Sequence, residues 1–487
     1  MTTLRLFVAT LSILAASSTV SISQECLVPT SPGVQFLPKT SDPKNLMPLP
    51  DPLPDPGKEV LPADCPFYQG AWQKFLFVTQ SLAGRGPRFL NYPTFEAVFK
   101  IKASPLFAEE QMGLLSLAPR NIQHPNNDPR DITINDVEQA GLQDVLIDQN
   151  GNVVWYAIHV NDEFVHFLHD YNLTDTKVLD KIPANLELRP GILELKSAWQ
   201  IVEGPIPSNY ITTRAVVPIF KHDTSGKIVR DGNRTRDVTV ALLSLHVVGV
   251  IEGHPELIWA TFEHISHERD GTWLRDVAPS AKCYPDDPAV GCKPVNVVTK
   301  AAKYSLYPVD PRQNSAPPVP TANAGNKLND LKLDEGAQKF SPVTPVYRVF
   351  PGSKPDDTKE DEEVTGLNES VKELFEKLHI VERDVRSNYQ LVGAVWLNRP
   401  RVVDSQANQA GAIFRPNRNF PDADNELFGG ESALSNMALE SFTQSRNPHC
   451  FSCHDTSRVK RIHGSVDLPA SELNVSHLLS KYYDLSK

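Results

Sequence analysis

Methionine is scarce in this chain, and long apolar runs are almost absent. Only four methionines occur among the 487 residues, and none follows residue 437. After residue 20, no stretch approaches the roughly 20 apolar residues that a membrane-spanning helix requires. The chain also lacks G-x-S-x-G, a P-loop and the dinucleotide-binding glycine pattern. No motif therefore points to common hydrolase or nucleotide-dependent chemistry.

A single long apolar run lies at the N-terminus. Leu6–Val20 follows Arg5 and precedes the small residues Ser21 and Ser23, which is typical of a secretory signal peptide. The alternative is an uncleaved membrane anchor, but the run is short for one. We expect residues 1–23 to be a signal peptide and the mature chain to be periplasmic or secreted. No membrane span is then expected after signal cleavage.

Acidic side chains outnumber basic ones, and the formal net charge is −11. This charge makes binding to nucleic acid or to an anionic membrane surface unfavourable. We therefore expect no nucleic acid among the partners of the chain.

The chain has six cysteines, and two of them belong to a motif described below. In an oxidising compartment the remaining four are expected to pair, and three pairings are possible. We favour Cys283–Cys292, which closes a short loop, and Cys26–Cys65, which staples the N-terminal arm. The spacing of these four does not provide the close pairs that a zinc site requires.

Composition divides the chain into segments. Proline is frequent before residue 70, and because proline fixes φ and removes a donor, an extended arm is expected there. A Pro-, Asn- and Asp-rich stretch that ends in the charge run KPDDTKEDEE predicts a connector or surface loop. The predicted segments are the signal peptide 1–23, an arm 24–69, a β-rich domain with N-terminal helices 70–303, the connector 304–365 and a C-terminal segment 366–487.

Periodicity predicts the elements. A β-hairpin with a type I′ turn at Asn150-Gly151 is expected within 143–160, because Asn-Gly suits the positive φ of that turn. Apolar and β-branched runs predict further strands at 193–202, 210–220, 238–250, 257–265 and 389–397. Helices are predicted at 70–82, 94–101, 369–379, 431–444 and from 469 or 471 to 483. The expected fold class is α+β, with an antiparallel β-rich central domain and a mainly helical C-terminal segment.

Cys450-Phe451-Ser452-Cys453-His454 forms a C-x-x-C-H motif. Two thiols at this spacing can bond the two vinyl groups of one haem, and the following imidazole reaches the iron. The alternative is a thioredoxin-like redox C-x-x-C, but the flanks do not indicate the βαβ context that it needs. We expect one covalent haem c, bound by Cys450 and Cys453 with His454 as proximal iron ligand, so that 366–487 is the haem-binding segment.

The motif does not identify the sixth ligand of the iron. Small electron carriers use a methionine after the motif, and none follows here. The haem is therefore expected to pack against the β-rich domain. Candidates are two histidines on predicted strands, a methionine before the motif and a histidine after it, and an open or water-bound site is a further alternative. The four residues are His264, His246, Met437 and His463.

Weaker signals concern metals. Histidines three positions apart suit metal ligation only on a helix, and no third ligand stands beside His166 and His169 or beside His264 and His267. Residues 148–152 resemble the beginning of a calcium loop but lack its later glycine and glutamate. A hairpin turn is favoured there.

The strand and haem segments together resemble a family of exported bacterial cytochrome c family proteins with one haem and no established reaction. The resemblance implies haem attachment at Cys450, Cys453 and His454, and it favours His246 and His264 as family features. Relatives are expected to have an Asp-Asn turn after TFEH, whereas this chain has ISHERDG. The resembling stretches are 71–80, 193–202, 210–217, 238–250, 256–265, 389–397 and 434–454.

Three functions remain open from the sequence. The first is electron transfer, as a carrier or as the redox module of an oxidoreductase. The second is a peroxidase- or oxygenase-like haem enzyme, which the large β-rich domain favours. The third is a non-catalytic haem ligand sensor. The expected partner is a redox protein or a small-molecule substrate.

Overall fold

A computed structural model of the chain contains five helices and sixteen strands among the residues that it describes. The described residues are 26–29, 36, 64–82, 86–99, 115–116, 145–179, 181–183, 185–267, 273–274, 281–282, 293–294, 306, 330–344, 346, 358–378, 384–397, 428–431, 434–442, 450–452, 454, 471–479 and 482. The helices are α1 Cys65–Val78, α2 Phe95–Val98, α3 Asp162–Asp170, α4 Thr176–Leu179 and α5 Thr358–Lys377.

The strands are β1 Ser81–Leu82, β2 Gly86–Pro87, β3 Leu115–Ser116, β4 Trp155–Val160, β5 Leu193–Ile201, β6 Thr212–His222, β7 Ile228–Ile251, β8 His254–His264, β9 Ser266–His267, β10 Trp273–Leu274, β11 Ala281–Lys282, β12 Lys293–Pro294, β13 Lys332–Asp334, β14 Lys339–Ser341, β15 Tyr389–Leu397 and β16 Phe428–Gly430.

One eight-stranded sheet organises the described chain. Its order is β16-β15-β8-β7-β5-β4, and β6 also pairs with β7. Every pairing in it is antiparallel except that of β3 with β6. The predicted α+β class with an antiparallel β-rich core is thus confirmed. Because β15 lies between β8 and β16, the predicted segment 366–487 contributes strands to the same sheet as the β-rich domain.

The register of the sheet sorts its side chains onto two faces. His246 on β7 pairs with Thr261 on β8, and Leu245 pairs with Phe262. Directly paired residues share a face, and successive residues alternate. We call the face of His246 and Thr261 the front face and the face of Leu245 and Phe262 the back face. His264 lies two residues after Phe262 and therefore belongs to the back face.

Helix α1 covers the back face. The Phe75 ring stacks on Phe262 with centroids 4.2 Å apart, and Trp72 Nε1 donates to Asn368 Oδ1 of α5 at 2.9 Å. The Asn368 amide also accepts from the Leu391 N–H and donates to the Leu391 carbonyl, beside a bulge in β15. One side chain thereby ties α1, α5 and the sheet together.

Between its pairings with β6 and with β8, one edge of strand β7 has a short unpaired stretch, and a back-face side chain bonds the backbone there. Strand β6 pairs with β7 up to Ala241, whereas β8 pairs with it from Ser244. Between them, the Tyr389 hydroxyl donates to the Leu242 carbonyl and accepts from the Ile211 N–H, at 2.9 and 3.1 Å. Two backbone groups that no strand partner reaches are thus satisfied.

Several predicted elements differ from the observed ones. The charge run expected in a surface loop instead enters α5, because that helix buries Val364, Leu367 and Val371 on one side. The helix expected at 431–444 is wrong where the chain is described: 434–442 form turns, in which Asn436 Oδ1 accepts from the N–H groups of Ala438 and Leu439. In the predicted final helix, Glu472–Val475 form a 3₁₀ turn, and the described residues 477–479 and 482 are helical.

The predicted pairing of Cys26 with Cys65 is confirmed, and the disulfide joins the N-terminal arm to the start of α1. Cys283 and Cys292 lie outside the described residues. Where the chain is described, no helix is long and apolar enough to cross a membrane.

The predicted hairpin at residues 148–152 is present, but with another turn. The Gly151 N–H donates to the Asp148 carbonyl at 3.0 Å, and the Asp148 N–H donates to the Asn152 carbonyl at 2.8 Å. Of the described loop residues only Gly151 has a positive φ, of 78°, whereas a type I′ turn needs two. The loop is therefore a three-residue turn with a bulge at the glycine. Asp223-Thr-Ser-Gly226-Lys makes the same turn between β6 and β7.

Each of these two turns begins with an aspartate, but one aspartate is buried and the other is exposed. Asp148 is fully buried, and burial raises its pKa to about 6, although backbone N–H groups partly offset this. Asp223 is exposed, and the Ser225 hydroxyl and backbone N–H groups lower its pKa. Since the folded pKa of Asp148 lies above the unfolded value, its ionisation opposes folding as pH rises.

We therefore predict that Asp148→Asn gains stability relative to the unsubstituted protein between about pH 4 and pH 6, by up to roughly 3 kcal/mol. The asparagine cannot ionise and keeps an acceptor at Oδ1. Urea unfolding of the mature chain across this range measures the change. Asp223→Asn is the matched control and should show little change with pH in this range, because the lowered pKa of Asp223 places its titration below about pH 4. A pH-independent difference for Asp148→Asn would contradict the assignment.

Candidate functional site

The C-x-x-C-H motif folds as one helical turn on the front side of the sheet. Residues Cys450–Ser452 form a 3₁₀ turn, and the His454 N–H donates to the Cys450 carbonyl at 2.9 Å. Phe451 is fully buried and stacks on Phe428 with centroids 5.4 Å apart. The turn anchors the motif through this apolar side chain. Cys453 lies outside the described residues.

The His454 imidazole is held in one orientation. Its Nδ1 lies 2.9 Å from the Val475 carbonyl oxygen. Because a carbonyl only accepts, Nδ1 carries the proton and Nε2 presents a lone pair. The rings of Trp259 and His477 are each centred 4.0 Å from the His454 ring, at interplanar angles of 39° and 21°. Two rings this close cannot share one face, so they cover both faces of the imidazole.

The electrostatic setting keeps this imidazole neutral. Burial, and after it the neighbouring His477, hold the pKa of His454 well below its usual value. A neutral imidazole is the form that binds a metal. A histidine ligand also commonly donates its other ring N–H to a backbone carbonyl, as His454 does to Val475. The donor chemistry of the described motif residues therefore fits a haem iron ligand.

A buried histidine–glutamate pair lies on the same face. His246 Nε2 is 2.6 Å from Glu440 Oε1, and the Asn436 N–H donates to Glu440 Oε2 at 2.7 Å. Burial raises the pKa of Glu440, but His246, Lys196 and the Asn436 N–H outweigh it, so the pKa lies below its usual value. Glu440 is thus ionised at neutral pH.

Register places this pair near the motif. His246 pairs with Thr261 of β8, and Trp259 lies two residues before Thr261 on that strand and on the same face. Diagonal neighbours in an antiparallel pair lie about 7–8 Å apart, and Trp259 contacts His454. The front face therefore brings His246 and its partner Glu440 into the neighbourhood of the motif.

Two of the other predicted sixth ligands, His264 and Met437, lie in the described chain, and Met437 belongs to the segment that covers front-face Glu263. His264 is on the back face, where its Nε2 donates to the Asn209 carbonyl at 2.9 Å and its ring stacks on Tyr210 with centroids 3.5 Å apart. This places His264 in the packing at the start of β6, away from the front face. Met437 is fully buried in the hydrophobic core. His463 lies outside the described residues.

The weaker metal signals are not assembled into a site. His166 and His169 lie on helix α3 as their spacing requires. In the described parts of the chain, however, no group of three or more His, Cys, Asp or Glu side chains is arranged to hold a metal ion. Asp148 instead organises the hairpin turn.

Sequence reasoning missed three residues around His454. Trp259 lies in a strand that the sequence predicts, and its alternation with Ala260 could have placed it on one face of the sheet. His477 and the carbonyl of Val475 come from the chain after the motif. No local pattern announces a backbone carbonyl as a partner, so these contacts depend on tertiary packing.

We predict that the His246–Glu440 pair contributes a coupling free energy of about 2 kcal/mol to stability, because both partners are shielded from water. A double-mutant cycle of His246→Ala and Glu440→Ala, followed by urea unfolding, measures it. The matched control is the His222–Glu335 pair, which has the same 2.6 Å separation but side chains 37% and 47% exposed, against 12% and 21%. Its coupling should stay below about 1 kcal/mol. Equal couplings would contradict the buried setting of His246 and Glu440.

No protein-family model matches the chain, and no significant match was found among curated proteins or solved structures.

Proposed function

We propose that the chain is an exported c-type cytochrome that takes part in electron transfer, as a carrier or as the redox module of an oxidoreductase. Cys450 and Cys453 attach the haem, and His454 binds the iron. The resemblance to exported cytochrome c family proteins is part of this proposal. So is the removal of residues 1–23 as a signal peptide, which would deliver the chain to a compartment in which Cys26 and Cys65 can oxidise.

The geometry of His454 carries the proposal. Its Nδ1 proton is bound to the Val475 carbonyl, its ring faces are covered by Trp259 and His477, and its Nε2 is the remaining coordinating atom. A haem bound there would supply a one-electron couple at the iron. The protein residues orient the imidazole, keep it neutral and cover it with the rings of Trp259 and His477.

A second candidate function is a haem enzyme with an open distal site. The His246–Glu440 pair supports it, because a buried carboxylate next to an imidazole can hold or pass a proton near a reacting group. His246 Nε2 is engaged with Glu440, so Nδ1 is the ring nitrogen of His246 that remains for binding an iron.

Covalent attachment is the first test. We expect the mature protein, made in a host that matures c-type cytochromes, to keep its pigment through acid–acetone extraction. Cys450→Ala and Cys453→Ala should each lose one thioether and shift the α band of the pyridine haemochrome, and the double variant should lose covalent pigment. Cys26→Ser with Cys65→Ser is the matched control and should retain it. A colourless protein, or pigment that extracts from the unsubstituted chain, would refute the proposal.

The ferric and ferrous absorption spectra separate the two functions. For an electron carrier we expect a low-spin ferric spectrum. The spectrum of the reduced protein should not change when CO is added. A high-spin spectrum with rapid CO binding would favour the enzyme instead. His264→Gln should leave either spectrum unchanged, since that side chain lies on the back face, and a change of spin state in this variant would contradict its placement.

A further inference from the structure

A second buried polar group lies on the front face, away from the motif. Ser244 pairs with Glu263, and Glu263 pairs with Gln390, so the three side chains form one row across β7, β8 and β15. Ser244 and Glu263 are fully buried, and Gln390 is 6% exposed. A row of three buried polar side chains in the middle of a sheet requires hydrogen-bond partners.

The row is incompletely satisfied by the protein. Ser244 Oγ and Gln390 Nε2 are buried and have no hydrogen-bond partner within the described chain. Glu263 stands between them, and its Oε1 accepts from the Met437 N–H at 2.9 Å. The turn segment 434–442, which contains Met437, thus covers the row. Polar atoms left unpaired in such a place cost free energy unless another molecule reaches them.

The side chains of the row are close to one another but do not satisfy each other. Directly paired side chains have Cβ atoms about 4.5–5.5 Å apart, so Ser244 and Gln390 are each close to Glu263. Neither Ser244 Oγ nor Gln390 Nε2 nevertheless reaches a partner in the described chain. Buried polar atoms without a protein partner are the groups that internal water molecules commonly bridge.

We propose that this row binds one internal water molecule. The water accepts a hydrogen bond from Gln390 Nε2, donates one to the Glu263 carboxylate and completes its shell with Ser244 Oγ. A metal cation suits the row less well, because Gln390 Nε2 is a donor and the Met437 N–H already points at the carboxylate.

The proposed water is on the same face as the His246–Glu440 pair. Ser244 and His246 are two residues apart on β7, which is about 6.5–7 Å along a strand. The row and the pair are therefore neighbouring polar groups on the front face. The inference does not depend on the haem, since every contact in it belongs to the sheet and the segment that covers it.

A crystal structure of the mature protein tests the proposal directly. We expect a solvent peak within hydrogen-bond distance of at least two of Ser244 Oγ, Glu263 and Gln390 Nε2. Side chains that close the gap by bonding one another, or a peak without such contacts, would overturn the inference. Crystals soaked in rubidium chloride separate water from a cation, because an anomalous peak at the site would assign it to a cation and also overturn the proposal.

Water-¹⁷O relaxation dispersion tests it in solution. Ser244→Val adds methyl groups where the water is expected, and valine suits a strand. We expect this variant to lose one long-lived internal water. Ser197→Ala is the matched control, because Ser197 is equally buried but donates to the Ala157 carbonyl and accepts from Trp199 Nε1. An unchanged count in Ser244→Val would overturn the inference, and the crystal structure decides if that variant does not fold.

Discussion

The pairing of His246 with Thr261 determines what each side of this molecule contains. A strand exposes its side chains alternately, so the register of one hairpin assigns every residue of β7 and β8 to a face. The front face thereby receives Trp259, His246 and Glu263, and with them the motif turn and segment 434–442. The back face receives Phe262 and His264, and with them α1 and α5. A slip of one residue would exchange the two sets.

Polar side chains hold this sheet together where its regular pairing stops. Tyr389 bridges the gap between β6 and β8, and Asn368 satisfies both backbone groups of Leu391 beside a bulge. Gln338 does the same for Phe220 at the bulge in β6. Each of these groups is buried, so its loss would leave backbone donors or acceptors without water or partner. These bulges and the pairing gap of the sheet thus each depend on one particular polar side chain.

Most strands of this architecture could be predicted from the sequence, but few of the contacts between them could. Period-two alternation and turn residues predict the main strands, and the motif spacing predicts a helical turn at Cys450–His454. The elements that differ are those for which tertiary packing decides. The charged run continues into helix α5, whose later residues Val364, Leu367 and Val371 are buried. Asn436 makes a capped turn where a helix was expected. The carbonyl of Val475, which orients His454, has no signature in a sequence at all.

The order of contacts along the chain also affects how the protein can fold. Helix α1 begins near the N-terminus, yet Trp72 bonds Asn368 across 296 positions, and Tyr68 reaches Glu431 across 363. Asn368 and Glu431 must be synthesised before the respective contact can form, and contacts so distant in sequence slow folding because a long loop must close first. During synthesis, Phe262 of β8 is made before Asn368, so α1 can stack on the sheet before Trp72 gains its hydrogen bond. The buried indole N–H of Trp72 is therefore satisfied only after about three quarters of the chain has been made.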